Sequence, residues 1–503
     1  MPAEEQEQHE EKKDWIPARV VLGVLLFFIS AASYMHGSNM AVIIVNIVVP
    51  PETSIFGDPQ CKTGNDTPEA TTEPPNISTR YPWSQVLQSV MLGIYYLGYS
   101  ITHVPGGLLA EKFGARGVVF WTSIVSAVCT ALTPVCADGH YSLVIINRFI
   151  VGLCGGVVYP AMHAAIARWV PLNEKSKFVW CTIGGTFGTM VTFPLCGLIM
   201  SEWGWQAAFY ITAAIMFVIA IIWFFLMHNT PQQHPRITAR ELKYIEESLG
   251  YKISTTKVSK FPAKKVLTSR HVIALVTLHI GDVWGLFFPA TYGPKFLKEA
   301  LGFDLYATGG LAALPYLARL LFGIVFSEVT DAMRARKIMS TTYLRKLMAI
   351  FSHLVSALFL FLMAVMGCNP YYSIICLTLS LGFNGASVGS CLANPHDLAP
   401  NFAGTIFGIQ NAVGSLFSAF SGFIAGAITK DKSGLAEWQL IWDIGGGVYV
   451  FTALVYFIWG TGERQPWNDA SDFPDQNNAS ENATEMKVEN ERDYAENEDI
   501  KQR

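Results

Sequence analysis

Apolar residues gather into long blocks, and charged residues gather into the short stretches between them and into the two ends of the chain. Several blocks exceed the roughly 18 to 20 residues that carry an α-helix across the hydrocarbon core of a bilayer. Twelve spans follow, at about 20–49, 84–108, 117–136, 141–168, 178–201, 206–228, 270–292, 306–330, 343–366, 371–393, 402–428 and 437–460. The first block, Val20 to Val49, is far too long for the apolar region of a signal peptide, and no small-residue cleavage pattern follows it. It reads as an uncleaved first span. The expected fold class is an all-α membrane protein of twelve transmembrane helices in two six-helix halves.

Composition agrees. The 503 residues are 51% hydrophobic and 15% charged, against about 25% charged in a soluble protein. An even number of spans puts both termini on one side, and the basic residues say which. With cytoplasmic ends, the inner segments before the tail hold 22 Lys and Arg and the outer loops hold 6, the bias expected of cytoplasmic loops. The net charge of −4 adds nothing about partners. Six of the nine cysteines (Cys129, Cys154, Cys181, Cys196, Cys376 and Cys391) fall inside spans without metal-ligand spacing and read as packing residues.

The chain divides into a cytoplasmic N-terminus (1–19), a first half (20–228), an inter-half linker (229–269), a second half (270–460) and an acidic, disordered tail (461–503). Outer loop 50–83 carries the sequons Asn65-Asp-Thr and Asn76-Ile-Ser and is expected to be glycosylated, whereas Asn478 and Asn482 in the tail stay unmodified. In the linker, "TARELKYIEESLG" spaces Thr238 and Glu241 as a helix-capping box.

Two inner loops repeat one pattern at an offset of 220 residues: "GLLAEKFGAR" and "SEVTDAMRAR". Each sets an acid (Glu111, Asp331) four residues after a small residue and an arginine (Arg116, Arg336) five residues later. An acid at a helix end accepts from a neighbouring helix N-terminus and pairs with the arginine, which makes these four residues candidates for an inner gate. The six-plus-six repeat resembles the major facilitator superfamily. "GYSITHVPGGLLAEKFGARG", "GGVVYPAMHAAIARWVPLNEKSK", "GWQAAFYI", "RKIMSTTYLRK", "NPHDLAPNFAGTIFGIQNAVG" and "GERQPW" resemble its anion:cation symporter branch, which includes sialin, the vesicular glutamate transporters and the type I sodium–phosphate cotransporters. That resemblance implies a monomeric secondary active transporter in which two halves rock around a central site. It would carry a small anion, phosphate or an organic carboxylate, driven by sodium or protons.

Ionisable residues inside spans are functional candidates. Arg148 lies about 10 Å deep at 1.5 Å per residue, and its helical face carries Gly152, Gly155, Tyr159 and His163, small and polar residues that face neighbours or a cavity. It therefore points inward rather than snorkelling to headgroups. The resemblance places there an arginine that serves as the anion's ligand. It also places a glutamate at the position of Gly155 and an arginine at that of Gly37, beside His36; Asn39 is kept. Two usual charges are therefore missing. Asp282 and Arg319 lie near mid-bilayer in spans seven and eight; paired, they would offer a second anion ligand (Arg319) and a coupling group (Asp282), or a static ion pair. His36 is either proton-sensitive or a packing residue. Tyr95, Tyr96 and Tyr159 could line the cavity, and His396 and Asp397 in "NPHDLAP" read as structural or gating.

No phosphate-binding P-loop, GxSxG elbow or HExxH pair occurs, so neither an enzyme nor an ATP-driven pump is expected. No cofactor beyond the coupling ion is expected, and no nucleic-acid partner. The expected surroundings are the bilayer, at the plasma membrane or in a lysosomal or secretory vesicle. A sensor that kept the fold and lost transport is the alternative.

Overall fold

The computed structural model describes residues 16–48, 81–171, 178, 181, 183–249, 261–301, 303, 305–366, 369–430 and 434–468. The sequons at Asn65 and Asn76, the tail from residue 469 onward, and the side chain of Glu111 lie outside the described residues. The first half contains α1 (Ala18–Ile47), α2 (Gln85–Phe113), α3 (Ala115–Gly139), α4 (Tyr141–Trp169), α5 (Gly184–Trp203) and α6 (Trp205–Leu226). The linker forms α7 (Ala239–Leu249) and α8 (Ala263–Leu267). The second half contains α9 (Arg270–Glu299), α10 (Leu305–Ala335), α11 (Thr341–Ala349), α12 (Ser356–Met366), α13 (Pro370–Asn384), α14 (Asn394–Leu398), α15 (Ala403–Ile428) and α16 (Leu435–Trp459). A π-helical turn, Ile350–Val355, joins α11 to α12 as one span.

Among the described residues, 11 helical segments are long and apolar enough to cross a membrane. The twelfth span is α2, which has 29 residues but a polar face. Gln85, Gln88, Ser89, Ser100 and His103 on it are all buried. That face looks into the protein, so lipid does not have to solvate it. The helices α2, α9 and α10 run beyond the apolar blocks that mark them, to Phe113, Glu299 and Ala335. Hydropathy registers the hydrocarbon thickness, whereas backbone hydrogen bonding continues into the interface.

The halves meet where α2 packs on α15, α5 on α10 and α1 on α9. At the end carrying the 49–80 connection, called outer here after the charge bias, one apolar cluster runs through both halves, from Ile47, Trp83 and Phe193 to Tyr292, Phe296 and Trp438. At the opposite end each half keeps its own cluster, one around Trp169 and Trp223 and one around Leu275 and Phe402. The molecule is closed outside, and its inner ends are not fused into one core.

The linker is tied to the first half. The α1 helix starts after Pro17 with no side-chain cap of its own. The Glu241 carboxylate of α7 supplies one, accepting from the backbone N–H of Ala18 at 2.8 Å and of Arg19 at 3.1 Å, and from the Arg19 guanidinium at 2.9 Å. The Thr238 side of the expected capping box forms, with Oγ1 accepting from Glu241 N at 3.3 Å, and the Glu241 carboxylate also serves α1.

Candidate functional site at the seam between the halves

Arg148 is 1% exposed and projects from α4 toward α1. One terminal nitrogen donates to the His36 carbonyl at 2.9 Å and to Asn39 Oδ1 at 3.3 Å, and the other donates to the Gly37 carbonyl at 3.1 Å. The Tyr95 ring covers the guanidinium, 5.2 Å from centroid to Cζ, a cation–π contact. Nε has no hydrogen-bond partner. Among the described residues no carboxylate meets this charge. Its neighbours are in turn fixed. Asn39 Nδ2 donates to Thr212 Oγ1 at 3.3 Å. The His36 ring turns away from the cavity, with Nε2 3.1 Å from the Thr212 carbonyl and Nδ1 2.8 Å from Ser126 Oγ and 3.2 Å from Thr130 Oγ1. Both nitrogens are thus occupied by α3 and α6.

A narrow gap, nearly filled by side chains, lies beside this site, lined by Tyr34, Ser38, Tyr95, Tyr99, Phe287 and Tyr316 among others. Aromatic rings of the first half close on Phe287 of the second: Tyr96 at 4.6 Å, Tyr99 at 6.0 Å and Tyr34 at 6.1 Å. Tyr159 stands 5.6 Å from Tyr34. Arg148 is behind Tyr95, so an anion reaches it only when that ring moves. Close helix approach makes this packing possible. A Cβ on Gly152 or Gly156 would sit 2.1 Å from the carbonyl oxygen of Tyr95 or Tyr99 on α2. The positions of the two missing charges, Gly37 and Gly155, both look at the Tyr95 hydroxyl, with a Cβ at 2.8 Å and 2.7 Å respectively.

In the second half Arg319 and Asp282 meet, with the two terminal nitrogens 3.5 and 3.4 Å from Asp282 Oδ1. These are long for a charge-assisted bond, which is usually about 2.7–2.9 Å. Helix α13 breaks at Asn384 into a short 3-10 turn, Gly385–Gly389. The break delivers Asn384 Nδ2 to Asp282 Oδ1 at 3.1 Å and Ser387 Oγ to Arg319 at 3.5 Å. A helix interrupted at mid-span is where transporters of this architecture place ligand and ion groups. His279, one turn before Asp282, was not singled out from the sequence; its i, i+3 spacing to the aspartate was the available signal. Its Nδ1 is 3.7 Å from Asp282 Oδ2 and its Nε2 is 3.0 Å from Asn411 Oδ1.

Among the described residues, the inner-end groups are not joined as a latch in this conformation. Arg116 is spent within its own half, its Nε donating to the Phe224 carbonyl at 2.8 Å while the guanidinium lies 4.6 Å from the Phe224 ring centroid. Asp331 and Arg336 are both exposed, with no ion pair between them among the described residues. The sequence reading also passed over two cations. Arg345 grips Asp397 of "NPHDLAP" at 2.6 and 3.3 Å and donates to the Gly389 carbonyl at 2.9 Å. Lys295, counted with the outer loops, is instead buried within α9 and donates to Gln85 and Gln88 of α2, clasping the closed outer end across the seam.

Most of the chain is matched by known proteins. The sequence matches the Major Facilitator Superfamily over residues 22–422. The chain belongs to this superfamily. It is 32% identical over 468 residues to a Drosophila melanogaster protein named "Putative inorganic phosphate cotransporter", covering 90% of this chain and 87% of that one. It is 30% identical to human sialin, covering 90% of each, and 30% identical to human vesicular glutamate transporter 2, covering 78% of this chain and 67% of that one. These relatives put it in the anion:cation symporter branch of the superfamily. The fold is also that of the xylose transporter XylE from E. coli in its inward open conformation, with a TM-score of 0.63 at 13% identity over 87% of this chain and 96% of the other. The protein is a multi-pass membrane protein of a transporter family.

Proposed function

We propose that this protein is a secondary active transporter that moves a small anion with a cation by alternating access. The observation that carries this reading is Arg148. A guanidinium 1% exposed, with no carboxylate partner and Nε unsatisfied, costs several kcal/mol to hold in a low-dielectric interior. An anion entering past Tyr95 would offset that cost. Arg319, held by Asp282 at 3.4 Å, is a further cation that could meet the anion. The relatives' printed names give the candidate cargoes: inorganic phosphate, glutamate and, through sialin, sialic acid. Sodium or protons would supply the drive.

The basic-residue bias supports cytoplasmic termini, with loop 50–83 outside and glycosylated at Asn65 and Asn76. The host membrane is the plasma membrane or that of a vesicle.

Purified protein in liposomes tests the reading. Saturable uptake of labelled phosphate, glutamate or sialic acid, accelerated by the same anion inside, is the expected result. Binding without flux would identify a sensor that kept the fold, the reading favoured by the empty positions Gly37 and Gly155. Non-saturating current would identify a channel.

A further inference from the structure

The His279–Asp282 face is built as an unfinished ion pair. Nε2 of His279 lies 3.0 Å from Asn411 Oδ1, an acceptor, so Nε2 carries the ring's proton in the neutral form. Nδ1 then presents its lone pair to Asp282 Oδ2 at 3.7 Å and makes no hydrogen bond. Both groups are buried, His279 at 2% and Asp282 at 2% exposure. Two acceptors face each other with nothing between them, an arrangement that costs free energy in a low-dielectric interior. One proton on Nδ1 converts it into a charge-assisted bond.

The surroundings favour a proton over a metal cation. The other carboxylate oxygen, Oδ1, is taken by donors, Arg319 at 3.4 Å and Asn384 Nδ2 at 3.1 Å. A hard cation needs a shell of oxygens, and here it would meet N–H groups and a guanidinium. The remaining titratable neighbours of His279 are the Cys391 thiol, His353 and His103. His353 is satisfied, its Nε2 2.9 Å from the Leu278 carbonyl and its Nδ1 2.8 Å from Ser352 Oγ. His103 reaches across the seam from α2, is 1% exposed, and makes no hydrogen bond of normal geometry at either nitrogen. A second positive charge there would repel the first, which limits the cluster to one proton.

Resting on the transport reading above, we infer that His279 is the coupling residue, and that the anion and a proton exchange partners at Asp282. Before binding, Arg319 neutralises Asp282 and His279 is neutral. When the anion draws Arg319 away, Asp282 is left uncompensated, and the Nδ1 lone pair of His279 takes a proton from water in the open cavity. The imidazolium then pairs with Oδ2. Arg319 is matched by the anion and Asp282 by the imidazolium, so taking up a monovalent anion together with one proton leaves the buried charge of the pocket unchanged. On release, Arg319 returns to Asp282 and the proton leaves Nδ1 for water on the other side. Anion affinity and proton affinity are thereby linked reciprocally.

The test uses the full chain in liposomes, with labelled phosphate, glutamate and sialic acid as probes, and reads anion accumulation and lumenal pH together. Wild type should accumulate anion about tenfold per unit of imposed pH gradient at one proton per anion, with protons entering alongside. His279→Gln retains an amide for Asn411 but accepts no proton. It should show no gradient-driven accumulation while still exchanging labelled for unlabelled anion. Asp282→Asn, which removes the imidazolium's partner, should likewise lose gradient-driven accumulation. Proton-driven accumulation surviving in His279→Gln overturns the inference, as does wild-type uptake driven by sodium without proton entry. Loss of exchange together with accumulation in both variants would put the cluster in the anion's own path and also overturn it. If none of the three anions exchanges through wild type, it is the transport reading that fails.

Discussion

Tyr95 is wedged against two glycines, and the wedge makes unequal demands on them. An alanine at position 155 puts Cβ 2.7 Å from the Tyr95 hydroxyl, but 3.5 Å from Cζ of the same ring and 3.5 Å from Tyr99 Cδ2. An alanine at position 37 puts Cβ 2.8 Å from the hydroxyl, 2.9 Å from Cζ and 3.1 Å from Cε1. Removing the hydroxyl therefore leaves ordinary contacts at position 155 and an unrelieved clash at position 37. Overpacking of this kind costs about 1–3 kcal/mol. The Tyr95 hydroxyl makes no hydrogen bond among the described residues, so Tyr95→Phe alone should be nearly neutral. Gly155→Ala should lower the melting temperature of the purified protein, and Tyr95→Phe should restore it, with a coupling of about 1–3 kcal/mol in a double-mutant cycle. Gly37→Ala should fall similarly and not be rescued. Equal rescue of both glycine variants, or of neither, would refute the placement of Tyr95 between α1 and α4.

Three further outcomes are expected. Arg148→Lys keeps the charge but not the planar fork that spans the carbonyls of His36 and Gly37, and should weaken anion binding about tenfold or more, read as uptake against concentration. Asp397→Asn leaves Arg345, 3% exposed, without its carboxylate; breaking a buried pair costs about 3–5 kcal/mol, so the protein should be lost on thermal challenge, with a larger effect than Arg334→Ala, whose guanidinium is 57% exposed. Glu241→Gln removes the charge at the N-terminus of α1 and should cost about 0.5–2 kcal/mol, measurable as a lower melting temperature with anion exchange intact.

The spans were legible because a bilayer demands long apolar runs, and α2 was legible even though its polar face lowers its hydropathy. What escaped were features that hydropathy does not encode. The break after Asn384 lies inside an apolar block, marked only by its small and polar run of Asn, Gly, Ala and Ser. Lys295 reads as a loop charge because it follows Gly293-Pro294, where the apolar block ends, yet α9 continues past it and two glutamines of α2 receive it. The Asp282–Arg319 contact could be posed as a question from depth alone, since both residues sit mid-span. Its answer needed the relative rotation of α9 and α10, which no single-helix pattern carries. The state of the inner gate was equally out of reach: the same Arg116 can serve a latch or, as here, the end of α6.

The two glycines also bear on how this branch of transporters can change its drive. The resemblance to sialin and the vesicular glutamate transporters implies an arginine at the position of Gly37 and a glutamate at that of Gly155, and here both positions look at the same Tyr95 hydroxyl. Those two positions are therefore neighbours in space, and losing only one charge would change what the site offers an anion, to 0 without the arginine or +2 without the glutamate. Losing both is electrically neutral. With them the site holds two arginines and a glutamate; without them it holds Arg148 alone, and the net charge offered to an anion is +1 in both cases. Tyr95 occupies the volume and covers the remaining guanidinium at 5.2 Å. What the exchange removes is the carboxylate that could carry a proton in the first half, so anion recognition can stay with α4 while the titrating group moves to α9, where His279 and Asp282 face each other at 3.7 Å.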